Sequence, residues 1–266
     1  MHHRIRRFLA TSLSLVTTAI TGAAFAAPPA AKAAPPATAR PAPAPAPTAG
    51  ELLAAYDAVM GPVNFEAQVR MVAYRDDGSS RDYTMKVLKK GDEKFRIWFA
   101  APSAVAGQEM LRVGDNLWVY MPNLKRAIRL ANRDSFQGGD FNNADVLRVN
   151  YQKDYDAKLD PACASEQAWC VELSAKSKNA SYDRVQLWLR KADKQPVAGA
   201  YYGGSGKLLR RATFRAHKSY AGLTRPGEIV MRNMLNTKRY SIMAWESMNT
   251  GVNPPASRFV LDDMGK

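Results

Sequence analysis

The run from Arg133 to Phe141, RDSFQGGDF, holds two acids, a serine, two aromatics and a Gly-Gly pair. A serine beside acids could serve as a nucleophile, and a Gly-Gly pair could cradle a phosphate. Each reading needs partners. For hydrolysis, Ser135 would have to borrow His217, since the other two histidines sit at positions 2 and 3. Ser135 also lacks the G-x-S-x-G setting of a nucleophile elbow. A phosphate cradle pairs its glycines with a lysine or a helix N-terminus, and the neighbours here are acids. Asp76 and Asp77 precede Gly78 and form a turn better than a catalytic carboxylate pair. No H-E-x-x-H, Walker loop or cluster of metal ligands is present. Asn179-Ala180-Ser181 matches a glycosylation sequon, a tripeptide common by chance. The expectation is no catalytic residue, no metal site and no cofactor. A lipid-acting hydrolase using Ser135 or another serine with His217 is the weakest of the functional readings.

The same nine residues make better sense as a cover. Asp140 or Asn142 can cap a short helix at 143–147. Gly138 and Gly139 allow backbone angles closed to other residues. Phe136 and Phe141 would anchor the loop on an apolar surface. The expectation is a lid made of Ser135, Phe136, Gly138, Gly139, Asp140, Phe141 and Asp145.

The surface under such a lid is legible in the strand pattern. Helical spacing marks 51–60, which ends at Gly61-Pro62. From Val63 onward apolar and polar residues alternate: Val63, Phe65, Ala67, Val69 and Met71 against Asn64, Glu66, Gln68 and Arg70. That predicts a strand with one dry face and one wet face. Further strands are expected around Tyr83, Met85 and Val87, around Phe95, Ile97 and Phe99, and near 108–113, 117–121, 126–131, 151–159, 169–175, 183–190, 197–202, 207–217, 227–235 and 238–246, with Gly, Asn or Asp at several turns. The fold class is therefore mainly β with a little α: a large antiparallel sheet, curled or closed. Its dry face carries Phe65, Met71, Met85, Phe95, Ile97 and Phe99. Leu117, Val119, Met121, Leu187 and Leu189 extend it. The 51–60 helix and the 142–147 segment are the good covers in the sequence, too few for so broad a face. Either side chains fill the space or an apolar ligand does. Methionines suit the second case because their thioethers repack readily.

The chain ends and the charge bound the setting. Arg4, Arg6 and Arg7 precede an apolar stretch, Phe8 to Ile20, and Ala24-Phe25-Ala26 offers a small-x-small cleavage pattern. Residues 1–26 are expected to be a signal peptide. Residues 27–50 are Ala/Pro-rich and predict an extended spacer, leaving 51–266 as one domain. The formal charge of +14 falls to +9 on residues 51–266 once the five basic residues before Glu51 are set aside. A basic exported domain suits an anionic lipid surface or an acidic partner, and export argues against nucleic acid. Cys163 and Cys170 in an exported chain predict a disulfide across a hairpin.

From Phe99 to Leu147 the residues resemble the outer membrane lipoprotein-sorting protein family, LolA-like periplasmic carriers. The resemblance is carried by FAAP (99–102), Gly107, DNLWVYMPNLKRAIRL (115–130) and SFQGGDF (135–141) followed by Asp145. The chain departs from that pattern at Gly139, where serine is usual, and at 142–144. The resemblance implies an incomplete barrel with helices over its concave side, and a carrier of lipid or lipoprotein acyl chains in the periplasm. It also implies an inner-membrane transporter of the RND or ABC type as a partner. A second reading is a non-enzymatic adaptor that docks through Arg126, Arg129, Arg210, Arg211 and Arg215.

Overall fold

The computed structural model describes residues 46–147 and 150–266. The expected signal peptide and nearly all of the expected spacer lie outside them. Helix α1, Ala49–Met60, opens on a capping box: the Thr48 hydroxyl accepts from the Glu51 N–H, and the Glu51 carboxylate accepts from the Thr48 N–H. Two orphan amides are thereby satisfied. One side of α1 buries Leu52, Leu53, Tyr56 and Met60.

Thirteen strands follow. The first six are β1 (Asn64–Tyr74), β2 (Ser80–Lys90), β3 (Lys94–Ala101), β4 (Glu109–Val113), β5 (Asn116–Met121) and β6 (Arg126–Leu130). The rest are β7 (Tyr155–Leu159), β8 (Ala168–Ala175), β9 (Arg184–Arg190), β10 (Pro196–Tyr202), β11 (Leu208–Tyr220), β12 (Leu223–Asn233) and β13 (Tyr240–Asn249). All pair antiparallel in one sheet, ordered β6-β5-β4-β3-β2-β1-β13-β12-β11-β10-β9-β8-β7. The sheet is not closed into a barrel, and its edges are β6 and β7. These edges are consecutive in sequence, so residues 131–154 must travel from one edge to the other. That connection carries the 3-10 turn Phe136–Gly138 and the short helices α2 (Asn143–Leu147) and α3 (Tyr151–Asp154).

The expected alternation is present: Phe65, Ala67, Val69 and Met71 of β1 are buried in the main core, whereas Gln68 and Arg70 are exposed. Val63, expected on the dry face, is 63% exposed because the strand begins one residue later, at Asn64. Residues 151–154 are helical rather than the start of a strand. The Asn150 side chain caps the Lys153 N–H, and the Asp57 carboxylate accepts from the Tyr151 and Gln152 N–H groups at 2.8 and 2.9 Å. Such a cap satisfies a helix start. Asp57, near the end of α1, thus ties α1 to α3.

The sheet is also covered on its outer face, which the alternation alone would leave wet. Strands β3 and β4 are buried on both sides because the C-terminal residues 256–264 lie across them. Leu88, Leu111, Phe259 and Met264 form a second small core there, with Trp98 and Trp118 against it. The fully buried Arg96 holds this strap: its guanidinium pairs with Glu109 and Asp263 and donates to the Arg258 carbonyl at 2.7 Å. The expected disulfide joins Cys163 to Cys170 of β8. Closing a loop of this length stabilises by about 2–3 kcal/mol through the unfolded state. Replacing both cysteines by serine should lower the unfolding free energy by that amount, as read by guanidinium titration.

Candidate binding site

The concave face is roofed by α1, by the 131–147 segment and by α3. Phe136 and Phe141 are fully buried among the main-core residues, and the Phe136 ring lies 5.9 Å from that of Phe99. The segment around them is bolted down. Tyr83 donates its hydroxyl to the Gln137 carbonyl at 3.0 Å, and Ser135 donates to the Gly139 carbonyl at 2.6 Å. Ser135 is thus engaged within its own loop, while the charged neighbours of His217 are Arg190 and Asp193. The structure does not bring Ser135 and His217 together as a hydrogen-bonded pair.

Asp140 is not the helix cap that its sequence position invites. It is buried, and its two carboxylate oxygens accept from Asn233 Nδ2 at 3.1 Å and Ser241 Oγ at 3.0 Å. Its N–H donates to Ser241 Oγ, and its carbonyl accepts from Arg210 Nε at 2.9 Å. A carboxylate can tolerate burial when its lone pairs are filled in this way. Asp140 therefore rivets the loop to β12 and β13. Gly138 takes φ +71°, a left-handed angle that suits glycine. Gly139 has a different reason: a Cβ there would stand 3.1 Å from Ser241 Oγ and 3.2 Å from the Phe136 carbonyl. The close approach to the rivet is what a serine at 139 would disturb. Asp145 closes the segment, accepting from the Asn142 N–H and from the Tyr182 hydroxyl, each at 2.8 Å.

Helix α1 is attached differently. Its C-terminal end is held by Lys89 of β2, whose buried ammonium donates to the Gly61 and Pro62 carbonyls at 2.6 and 2.9 Å. A cation at a helix C-terminus meets both the orphan carbonyls and the dipole. Burial pulls the Lys89 ammonium down to about 8.

Between roof and sheet two voids remain, of about 30 and 20 Å³. Each holds a water or so, whereas pockets for small-molecule ligands run to several hundred Å³. Side chains fill the concavity in this closed form. Phe65, Met85 and Phe95 line the larger void, as the strand pattern anticipated. Met71, Ile97, Phe99, Leu117, Leu187 and Leu189 are buried in the same core without lining either void. Val119 and Met121 are only partly buried. The pattern reading missed Met60, Arg225, Met243 and Trp245 at the larger void. Met243 and Trp245 carried the same period-two signal on β13, but Arg225 reads as a wet-face residue. A hollow of about 620 Å³ is an open groove on the outer face between Trp98 and Pro254-Pro255 and belongs to a different surface.

Two carboxyls under the roof are displaced in pKa. Burial pushes both Asp57 and Asp145 up to about 6. The unfolded values are near 3.9, so between about pH 4 and 6 the folded chain holds more protons than the unfolded one. These groups stabilise fully below the lower value, and that contribution is lost as pH rises through about 6. Asp145→Asn should therefore flatten the fall in thermal midpoint between pH 5 and 7, by about 2–4 °C if the group is worth about 1 kcal/mol. Scanning calorimetry at the two pH values reads this directly.

The arginines proposed as a docking patch do not form one surface. Arg126 and Arg129 lie on edge strand β6, and Arg129 donates to Asn116 Oδ1. On β11, Arg210 turns inward to Asp140, Arg211 is exposed, and Arg215 pairs with Glu228 at 2.8 Å.

A family model described as "uncharacterized protein" matches residues 91–266. A LolA superfamily protein from Nitrosomonas europaea is 27% identical, with 82% of this chain and 99% of that chain covered and a TM-score of 0.75. The chain belongs to a LolA-like family. Two further solved structures agree in fold. A DUF1329 family protein from Desulfovibrio piger is 19% identical over 80% of this chain and 96% of its own, with a TM-score of 0.72. An outer membrane lipoprotein-sorting protein domain from Vibrio parahaemolyticus is 22% identical over 81% and 97%, with a TM-score of 0.68. No curated protein matches the chain. No helix among the described residues is long and apolar enough to cross a membrane. The open sheet with short helices across it is thus a carrier-like fold.

Proposed function

We propose that this LolA-like protein carries acyl chains, of lipids or of lipoproteins, through the periplasm, and that its closed form has side chains standing where the chain would lie. The observation that carries this reading is the roof. A concave face rich in Phe and Met is covered by three short helices and a loop, joined to it in part by polar links. Lys89 of β2 ties the end of α1 to the sheet by two of them, and Asp57 ties α1 to α3 within the roof by two more hydrogen bonds. Phe65, Met71, Met85, Phe95, Ile97 and Phe99 form the nearer part of the acyl surface. Leu117, Val119, Met121, Leu187 and Leu189 flank it. Burying a methylene is worth about 0.8 kcal/mol, so a chain only partly enclosed binds usefully.

The expected lid at 135–141 is braced by Asp140, and moving it would strand a buried carboxylate. Opening then proceeds by displacement of α1 and α3, with the 135–141 loop as their fixed stop. The cargo arrives from an inner-membrane transporter and is released by reclosure. Lys89→Met removes two charge-assisted hydrogen bonds made only in the closed form, worth about 1.5–3 kcal/mol each. Because occupancy of the closed form weakens apparent affinity, that variant should bind a fluorescent fatty-acyl probe more tightly by about a hundredfold or more. The reading as a whole is tested by gentle purification from a Gram-negative envelope, native mass spectrometry and lipid extraction. Co-purified lipid or uptake of the acyl probe supports it; an empty protein that takes up no probe overturns it. Salt-sensitive capture of an envelope protein by that empty form would favour the adaptor reading instead.

A further inference from the structure

Arg225 is one of the largest fully buried side chains in the molecule. It stands on β12 at the larger void, and its charge has little to answer it. Nε reaches the Pro226 carbonyl at 3.4 Å, Nη1 reaches Met248 Sδ at 3.8 Å, and Nη2 has no partner. The guanidinium lies 4.3 Å from the centre of the Trp245 ring. Among the described residues no carboxylate forms an ion pair with it; the groups that favour its charge are the phenols of Tyr220 and Tyr56. Burial pulls it down to about 10, which leaves it charged at neutral pH. Asp145 lines the same void, but one of its oxygens is occupied by Tyr182 and Asn142.

A buried guanidinium without a counter-ion costs several kcal/mol. Packing alone would be served better by a methionine or leucine. Its five donors form a planar fork that matches a carboxylate or a phosphate. Apart from Asp145, the void it borders is lined by apolar and aromatic side chains, among them Phe65, Val69, Met85 and Met243. An anion that reaches this place must therefore bring apolar surface with it. We propose that Arg225 is the head-group site for a single-chain anionic amphiphile, holding its carboxylate or phosphate while the chain lies along the Met-rich wall of β1, β2 and β13. This rests on the acyl-carrier reading and adds to it a charge and a direction for the ligand.

The test uses the exported chain with three probes of equal length: palmitate, hexadecyl phosphate and hexadecanol. Wild type should bind at least one anion about tenfold or more tightly than the alcohol. Arg225→Met should lower anion affinity by about 10–100-fold, the range for one charged hydrogen-bonded contact, and leave hexadecanol within about twofold. Arg225→Lys should keep part of the preference. The anion that suffers more identifies a carboxylate or a phosphate as the preferred head. Equal binding of all three by wild type, which needs no variant to fold, overturns the assignment and leaves acyl binding standing. So does an equal loss for all three in Arg225→Met. Failure of wild type to bind any of them overturns both.

Discussion

Glu109→Ala is expected to destabilise the domain by about 3–5 kcal/mol, because it removes the buried partner of Arg96. Arg96 is fully enclosed and Glu109 is nearly so. Of its two acids the arginine would keep only Asp263, a more exposed one on a segment that is itself held by this contact. The other Glu109 oxygen accepts from the Gly265 N–H at 3.1 Å, so the same substitution frees the end of the strap. Two readouts follow: a lower urea midpoint, and faster proteolysis near residues 256–264 at denaturant concentrations where the sheet still holds. Replacing Arg96 and Glu109 together by Met and Leu should recover most of the loss, since well-packed apolar residues often replace a buried ion pair without penalty. If the single variant loses less than about 1 kcal/mol, the strap is not anchored by this pair.

Asp140→Ala should cost about 2–4 kcal/mol. It leaves the Ser241 hydroxyl and the Asn233 amide without their acceptors in a buried place, each worth about 1–3 kcal/mol. The effect should be local as well as global. Amides of 135–141 should exchange faster, and Phe136 and Phe141 should lose their fixed packing against the sheet. Asp140→Asn keeps one acceptor and should fall between wild type and alanine. An alanine variant with unchanged exchange in this loop would show that the aromatic anchors alone hold it.

Much of this fold was legible because it rests on period-two alternation. Phe65, Met71, Met85 and Phe99 announce an inner face without help from the rest of the chain, and Phe136 and Phe141 announce the loop that packs on it. The failures share a cause: each depends on a partner far away in sequence. Asp140 looks like a helix cap until Ser241 and Asn233, about a hundred residues on, are known to stand beside it. Tyr151 looks like the start of a strand until Asp57 supplies the acceptor that starts a helix. Trp98 and Leu111 look like outer-face residues until the C-terminal strap covers them. Arg225 shares the inward parity of Ile229 and Met231 on β12, but an arginine among alternating residues is ordinarily placed on the wet face. The question of whether the concavity is filled or empty was undecidable from composition. In the closed form it is filled, and the carrier reading now depends on the roof lifting.

The most direct measurement of that dependence is amide hydrogen exchange of the purified protein with and without saturating palmitate, with bound stoichiometry followed by native mass spectrometry. The account predicts one acyl chain per protein, faster exchange in 49–60 and 151–154, and unchanged protection in 135–141. Palmitate that binds while α1 and α3 keep their protection, or that does not bind at all, would contradict it.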